Sequence, residues 1–282
     1  MKYVVITGVS TGIGYDAARY LTERGWRVLG SVRKPADADR VQAALGDNFT
    51  PLLFDVTDGT AVSAAVTQTQ SIIGDNNLAG LINNAGIATA GPLMHIPLEE
   101  FRWQFEVNLF GLLDVTQKFL PLLGARPDAP RPAGRIVNVS SVSGKITYPF
   151  MGPYSASKYA LEALSDGLRR ELVVYGIDVI VIEPGSVQTP IWDKAEKLDV
   201  DVYAGTRYYD VMRRMQKMFV RQGQTGIPVA RVSETIYKAL TAPRPKTRYA
   251  LARKWLTGWF LPRHLPDRWV DKMIWKKLGL KD

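Results

Sequence analysis

Lys2-Tyr-Val-Val-Ile-Thr-Gly8-Val-Ser-Thr-Gly12-Ile-Gly14-Tyr15 opens the chain, and its reading decides the fold. Tyr3, Val4, Val5 and Ile6 form a short, nearly unbroken apolar run, the pattern of a strand buried on both faces of a parallel sheet. A glycine-rich turn follows at once. Residues 15–24 then have helical spacing, with Ala17, Ala18 and Leu21 on one side. Strand, glycine turn and helix in that order present backbone N–H groups and the positive end of a helix dipole to a phosphate. In such a turn Gly8 permits the tight bend, Gly12 lets backbone approach a pyrophosphate, and Gly14 lets the helix pack closely on the strand. The plainer alternative is a glycine-rich turn that binds nothing.

Working outward, strand-like runs recur near residues 2–7, 26–32, 50–54, 79–83, 134–139, 177–182 and 247–251, with helical stretches between them. That alternation predicts an α/β fold, a doubly wound seven-stranded parallel sheet with helices on both faces. A chain of 282 residues fits one such domain with a terminal extension. Residues 1–243 are assigned to the main domain, and 244–282 to its last strand and a basic, Trp-rich extension. Residues 124–134, with Pro127, Pro130 and Pro132, read as a surface loop, because the next strand completes the same sheet. The absence of cysteine excludes disulfides and thiolate metal sites. His95 and His264 have no partner at ligand spacing and are expected in solvated loops. A first strand beginning at residue 2 leaves no room for a signal peptide, and no apolar run approaches the ~20 residues of a membrane span, so the cytoplasm is expected.

The chemistry-bearing stretch is Tyr154-Ser-Ala-Ser-Lys158. Residues four apart share a helix face. An ammonium beside a phenol stabilises the phenolate and is expected to draw the tyrosine below its usual pKa of about 10. Such a tyrosine can give a proton to a carbonyl oxygen or take one from an alcohol. Alone, the spacing is weak evidence, since many such pairs are two surface residues of a helix.

Together the motifs are specific. Thr7-Gly8-x-x-x-Gly12-Ile13-Gly14, Asn83-Asn84-Ala85-Gly86, Asn108, Ser141, Tyr154-x-x-x-Lys158 and Pro184-Gly185 stand in the order and rough spacing of the short-chain dehydrogenase/reductase family, which the chain resembles over about residues 2–190. Within it the chain is similar to the hydroxysteroid and retinol dehydrogenase branch and to bacterial ketoreductases. The resemblance implies a Rossmann fold, with Tyr154 as acid/base, Lys158 as its tuner and ribose ligand, Ser141 as polariser of the substrate oxygen, and Asn108 as a helix-kinking residue that holds a relay water. Ser140 competes with Ser141; the latter fits the usual interval before the tyrosine. A mere polar helix residue is the plain reading of Asn108. The cofactor cradle implied is Gly8, Ser10, Thr11, Gly12, Ile13, Gly14, Asp55, Val56, Asn83, Ala85, Gly86, Pro184, Gly185, Val187 and Thr189. Of these, Asn83 is expected to serve sheet-end geometry more than binding. All fall at the carboxyl ends of predicted strands, where open α/β sheets bind ligands.

Charge indicates which dinucleotide. NAD-specific members end the second strand with a carboxylate, whereas residues 27–32 carry none, and Arg33 and Lys34 follow. A guanidinium suits a 2′-phosphate, so NADP(H) is favoured over NAD(H). Val9, Ser10 and Thr11 supply no second cation from the glycine loop, although two hydroxyls are available. Asp37 and Asp39 fit a helix N-terminus.

Residues 190–226 are expected to form a lid over the substrate. Val211, Met212, Met215, Met218 and Phe219 make an apolar stripe at helical spacing, with Tyr203, Tyr208 and Tyr209 before it. Either the stripe adapts to an apolar alcohol or ketone, or it simply docks on the core. Arg213, Arg214, Lys217 and Arg221 are expected to face water.

Residues 244–282 hold eleven Lys/Arg against three Asp, a net +8 of the chain's +9, and four of its seven tryptophans. Trp269, Val270, Met273, Ile274 and Leu278 line one side of a predicted helix opposite Lys272, Lys276 and Lys277. Leu251, Trp255 and Trp259 continue the stripe upstream until Pro262. A basic amphipathic segment fits an anionic membrane surface, or packs on the protein's own body or a second subunit. Nucleic acid is disfavoured, since no binding module accompanies the charge.

Two functions follow: an NADP(H)-dependent oxidoreductase interconverting a hydrophobic secondary alcohol and its ketone (or an aldehyde), or a catalytically silent dinucleotide-binding sensor. Retention of all four catalytic-type residues favours the enzyme. The resemblance also implies a homodimer or homotetramer, paired through residues 98–120 and 154–174.

Overall fold

A computed structural model describes residues 1–129, 132–196, 198–253 and 256–279. Pro130, Lys254, Trp255, Lys281 and Asp282 lie outside the described residues. The strands are β1 (Lys2–Ile6), β2 (Trp26–Val32), β3 (Phe49–Leu53), β4 (Gly80–Asn83), β5 (Arg135–Val139), β6 (Asp178–Pro184) and β7 (Arg248–Leu251). The helices are α1 (Gly12–Thr22), α2 (Pro35–Leu45), α3 (Gly59–Ile73), α4 (Leu98–Phe105), α5 (Gly111–Phe119), α6 (Gly152–Glu171), α7 (Ile191–Glu196), α8 (Tyr209–Gln224), α9 (Val229–Thr241) and α10 (Asp267–Leu278). All seven predicted strands are present and form one parallel sheet in the order β3-β2-β1-β4-β5-β6-β7. The order turns back between β1 and β4, and the crevice beyond the carboxyl ends of the strands at that point is where such sheets take ligands.

Strand alternation builds two cores. Val4, Ile6, Val28, Val137, Ile180 and Ile182 pack under α1 and α9 through Ala17, Ala18, Leu21, Val232 and Ile236. Val5, Leu29, Leu52, Leu81, Ile136 and Val179 face the other way, onto α3 and α5 through Val62, Ala65, Val115 and Phe119. With both faces covered, the strands have to be mostly apolar, which is why their sequences read as largely apolar runs. Each fully buried Leu, Ile or Phe contributes about 1.5–3 kcal/mol. Gly30 in β2 is required by this packing, because a Cβ there would collide with the Phe49 ring and Val9.

A third, smaller cluster joins the lid to the C-terminal extension. Met212 and Met215 of α8 pack with Phe150, Val200, Tyr203, Val211 and Leu278, and Ile274 lies against them. The methionine stripe therefore docks on the body of the protein at these positions. Ile274 and Leu278 place one side of α10 on α8, whereas Trp269 and Met273 are exposed, 63% and 48%. The upstream stripe corrects the sequence reading: Leu251 ends β7 whereas Trp259 lies in a π-type turn of residues 256–260, so these two do not share one helix face.

Candidate active site

The glycine loop is clamped from two neighbouring strands. Gly8 and Gly12 hold φ of 72° and 64°, the left-handed region that side-chain-bearing residues avoid. The Ser31 hydroxyl accepts from the Gly8 N–H at 2.9 Å, and the Ser31 carbonyl accepts from Val9 at 2.9 Å. From β4, the Asn84 amide donates to the carbonyls of Thr7 (2.9 Å) and Gly8 (3.0 Å). The Thr7 hydroxyl accepts from the N–H groups of Asn84 and Ala85. A side chain on Gly14 would collide with the Gly8 carbonyl and the Asn84 amide, so the third glycine is needed for close packing. Thr11 caps α1 without a side-chain hydrogen bond, and no acidic residue lies in its first turn. The helix end thus offers N–H groups and positive dipole outward.

Across the crevice, a Cβ on Gly12 would stand 3.6 Å from Thr189. Pro184 ends β6, Gly185 donates to the Leu251 carbonyl at 2.9 Å, and Val187 is buried beside Ile227. Gly12 and Thr189 thus face each other, from the start of α1 and from the segment after β6. Asn83 does not join them. It is buried, its amide donating to Thr116 Oγ1 and Asn138 Oδ1 at 2.9 Å each, which makes it a strut between β4, β5 and α5. Gly86 abuts Asn108, whose Oδ1 a Cβ would approach to 3.2 Å.

Tyr154 and Lys158 share α6, and Ser141 follows β5. Ser141 Oγ accepts from the Ser143 N–H at 3.0 Å, and its hydroxyl is near enough to the Tyr154 phenol to favour the phenolate. Ser140, the competing candidate, is buried, and no hydrogen bond reaches its hydroxyl among the described residues. Lys158 Nζ donates to the Val139 carbonyl at 2.9 Å and stands 5.8 Å from the centre of the Tyr154 ring. Burial lowers the Lys158 ammonium to about 8, while the Glu162 charge holds it up. Burial raises the Tyr154 phenol, and its hydrogen bond with Ser141 draws it part of the way back. The expected lowering of Tyr154 by Lys158 is therefore not what this structure has: desolvation is the largest influence on the phenol, Ser141 is what opposes it, and the phenol keeps its proton. Phe150, four residues earlier, holds φ of 67° with its ring in the lid cluster and its carbonyl accepting from Gly91 at 2.8 Å. That conformation costs about 1–3 kcal/mol and persists because both contacts fix it.

Asn108 sits in a π-type turn of residues 106–110 between α4 and α5, so the helix is interrupted where the resemblance places a kink. Its carboxamide pairs with one residue on both sides: Ile87 N–H donates to Oδ1 at 2.9 Å, and Nδ2 donates to the Ile87 carbonyl at 3.0 Å and to Ser157 Oγ at 3.2 Å. The side chain is thus a fastener between the loop after β4 and α6.

At the far end, Arg33 is exposed, with Asp55 at 3.7 Å. Asp55 Oδ1 accepts from the N–H and hydroxyl of Thr57, and Val56 is buried beside it. Lys34 is exposed at the start of α2. The glycine loop carries no cation of its own, as expected, but Arg40 reaches it from α2, donating to the Ser10 carbonyl at 2.8 Å and to Asp37 at 2.7 Å. A guanidinium just after β2 and another at the glycine loop suit a dinucleotide with an added phosphate. His95 is exposed, as expected, although its ring meets those of Tyr203 and Tyr208. Arg213, Arg214, Lys217 and Arg221 face water.

Sequence reading missed Asn84 as a clamp, Arg40, and the buried carboxylates Glu162 and Glu183. Glu183 did leave a signal, a carboxylate inside the apolar run of residues 178–184.

The family model described as short chain dehydrogenase matches residues 2–199. An NADPH-dependent 3-dehydrocapnine reductase from Ornithobacterium rhinotracheale is 42% identical over 278 residues, covering 99% of this chain and 98% of that protein. Retinol dehydrogenase 16 of Mus musculus is 33% identical, covering 97% and 88%. Among solved structures, a short-chain dehydrogenase from Streptomyces avermitilis superposes with a TM-score of 0.77 at 28% identity, covering 99% of this chain and 97% of that one.

Proposed function

The chain belongs to the short-chain dehydrogenase family, and from that premise we propose that it is an NADPH-dependent reductase of hydrophobic ketones. The observation that carries this reading is the meeting of Ser141 and Tyr154, with Lys158 buried beside the phenol ring. The residues fit a dinucleotide. Gly8, Ser10, Thr11, Gly12, Ile13 and Gly14 offer an uncrowded backbone at the start of α1, and Asp55, Val56, Ala85, Gly86, Pro184, Gly185, Val187 and Thr189 complete the walls. Arg33, Lys34 and Arg40 supply charge for a 2′-phosphate. Bound there, NADPH would supply the hydride.

The chain's own residues do the rest. Ser141 donates a hydrogen bond to the substrate oxygen and polarises the carbonyl. Tyr154, its phenol protonated at neutral pH, delivers a proton to that oxygen as negative charge develops. Lys158 offsets the phenolate left behind and contributes a ribose contact. The backbone of the Asn108 turn holds the water that returns a proton to the lysine. NADPH as the hydride source favours reduction, and the name of the 42% relative agrees in cofactor and direction.

The C-terminal extension is read as a contact with an anionic membrane surface, through the exposed Trp269, Met273, Leu256 and Leu261 amid Arg268 and Lys272. Exposed Leu98, Trp103 and Phe110, with Val173 and Val174, suit pairing of two copies.

Turnover decides the matter. NADPH oxidation is followed with a panel of hydrophobic ketones and aldehydes, 3-dehydrocapnine among them. Wild type is expected to turn over at least one, and Tyr154→Phe to lose a factor on the order of 10² or more while still binding NADPH. Tight NADPH binding with no turnover, or a Tyr154→Phe rate within twofold of wild type, would overturn the reading.

A further inference from the structure

Beneath the candidate site lies a cluster of buried charge that the reaction as derived does not use. Glu162, one turn beyond Lys158 on α6, is 4% exposed, and Glu183 near the end of β6 is 0% exposed. Both reach Arg248 of β7: its Nε lies 2.9 Å from Glu162 Oε2 and 3.4 Å from Glu183 Oε1. Lys145 adds a contact of 3.0 Å to the same Glu162 oxygen, and Arg248 Nη2 also pairs with Asp166 at 3.0 Å. Among the described residues no hydrogen bond reaches Glu162 Oε1 or either Glu183 oxygen.

The cluster touches each segment that carries a site residue. Gly144, three residues after Ser141, packs so closely that a Cβ there would stand 3.1 Å from each of Glu162 Cγ, the Lys158 carbonyl and Ser140 Oγ. Lys145 follows it directly. Glu183 precedes Pro184-Gly185, and Arg248 pairs with Val181 in the sheet register. Burying two carboxylates with so few donors is costly unless the charge is used or one of them holds a proton.

We propose, resting on the reductase reading, that Glu162 is a positioning residue for the Tyr154–Lys158 pair: its carboxylate, held by Lys145 and Arg248, keeps the buried lysine in its ammonium form and locks the lysine-bearing turn of α6 onto the loop of Ser141. Glu183 carries the proton that allows two carboxylates to share one guanidinium; burial and the Glu162 charge push it up to about 7. The charged groups facing the cluster are Lys158, Asp166 and Arg169 from α6, Lys145 from the turn after β5, Arg248 from β7 and Arg263 from the C-terminal extension. Glu162 supports the charge on Lys158, whereas Lys145 and Arg248 oppose it by competing for that carboxylate.

The test is the pH dependence of NADPH binding, followed by quenching of protein fluorescence between pH 6 and 10, with Lys158→Met marking the loss of the ammonium. In Glu162→Gln the alkaline midpoint for weakening is expected to fall by about one pH unit, the size of one lost buried charge contact. Lys145→Met is expected to move it upward, and Glu162→Asp to restore most of the wild-type profile. A merely structural role would weaken binding equally at every pH. If Glu162→Gln fails to fold, the upward shift in Lys145→Met stands alone as the test. Profiles of Glu162→Gln and Lys145→Met that overlay wild type would overturn the proposal while leaving the reductase reading intact. Saturable NADPH binding without turnover of any carbonyl by wild type would sink the reductase reading instead, and no NADPH binding by wild type would sink both.

Discussion

Lys158 Nζ donates a 2.9 Å hydrogen bond to the carbonyl of Val139, the last residue of β5 and the second before Ser141. This bond runs from the helix that carries the phenol to the strand that carries the hydroxyl, so the two are set by one ammonium. Burial has already brought that ammonium down to about 8 from an ordinary value near 10.5. It is charged below that pH and lost above it. Tyr154, shifted upward, keeps its proton through the same range. Turnover in the reducing direction should therefore fall as the pH rises through about 8, and the alkaline limb of a kcat/KM profile should belong to the lysine. Lys158→Met should abolish that limb along with at least a hundredfold of the rate. Lys158→Arg should not rescue it, because a planar guanidinium cannot take the place of a compact ammonium in so tight a space. A limb that persists in Lys158→Met would assign it elsewhere.

Two arginines should affect cofactor binding in different ways, with the choice between dinucleotides set by Arg33. Arg33 is exposed with only a long contact to Asp55, which leaves its donors open to a phosphate. Arg40 already spends donors on Ser10 and Asp37. Arg33→Ala should weaken NADPH by about tenfold, in line with a charge-assisted contact of about 1.5–3 kcal/mol. NADH should be unaffected. Arg40→Ala should weaken both dinucleotides, since it loosens the loop as well as removing charge. Titration of each variant with both cofactors separates these effects. An unchanged preference in Arg33→Ala would defeat the charge argument.

The fold was legible where a local pattern and its burial agree. Mostly apolar runs announced all seven strands because a parallel sheet covered on both faces leaves little room for polar residues. The glycines of the first turn were equally readable, since backbone conformation and close packing dictate them. What stayed hidden depends on long-range contact. Nothing local says that Arg40 reaches back to Ser10, or that Asn84 clamps Thr7 and Gly8. The direction of the Tyr154 shift was misread for a related reason: spacing shows that an ammonium is near, but not that burial is the largest influence on the phenol. The stripe of α8 and that of α10 each announce an apolar face, and only the packing of Leu278 and Ile274 on Met212 and Met215 shows that the two partly cover each other.

Glu183 should make stability depend on pH in an unusual direction. Its carboxyl is raised to about 7 from 4.5, so between these values the folded protein binds a proton that the unfolded chain releases. The stability it contributes is present below about 4.5 and is lost as the pH rises through 7. Glu183→Gln, which mimics the protonated acid, should remove this dependence. Between pH 5.5 and 8 the Tm of wild type should fall relative to the variant by roughly 5 °C, from about 2 kcal/mol spread over a chain of this size. Parallel melting curves for the two proteins across that range would show that Glu183 stays ionised.

The membrane contact is best tested without removing the extension. Truncation after Thr241 would take away β7, and with it Arg248, the partner of Glu162, Asp166 and Glu183. It would also remove Leu278 from the cluster that covers α8. Lost flotation would then report damage to the fold. Trp269 and Met273 lie on the side of α10 away from that cluster, and Arg268 and Lys272 are exposed with them. Each basic residue near an anionic surface contributes about 1 kcal/mol, and the indole and thioether add apolar area. Trp269→Ala with Met273→Ala, and separately Arg268→Glu with Lys272→Glu, should each reduce flotation with anionic vesicles by tenfold or more while leaving the Tm within about 2 °C of wild type. The charge-reversed pair should lose binding most at low salt, where the attraction is least screened. Wild type that does not float, or floats equally well with neutral vesicles, would leave the tryptophans to a protein partner or a second copy of the chain.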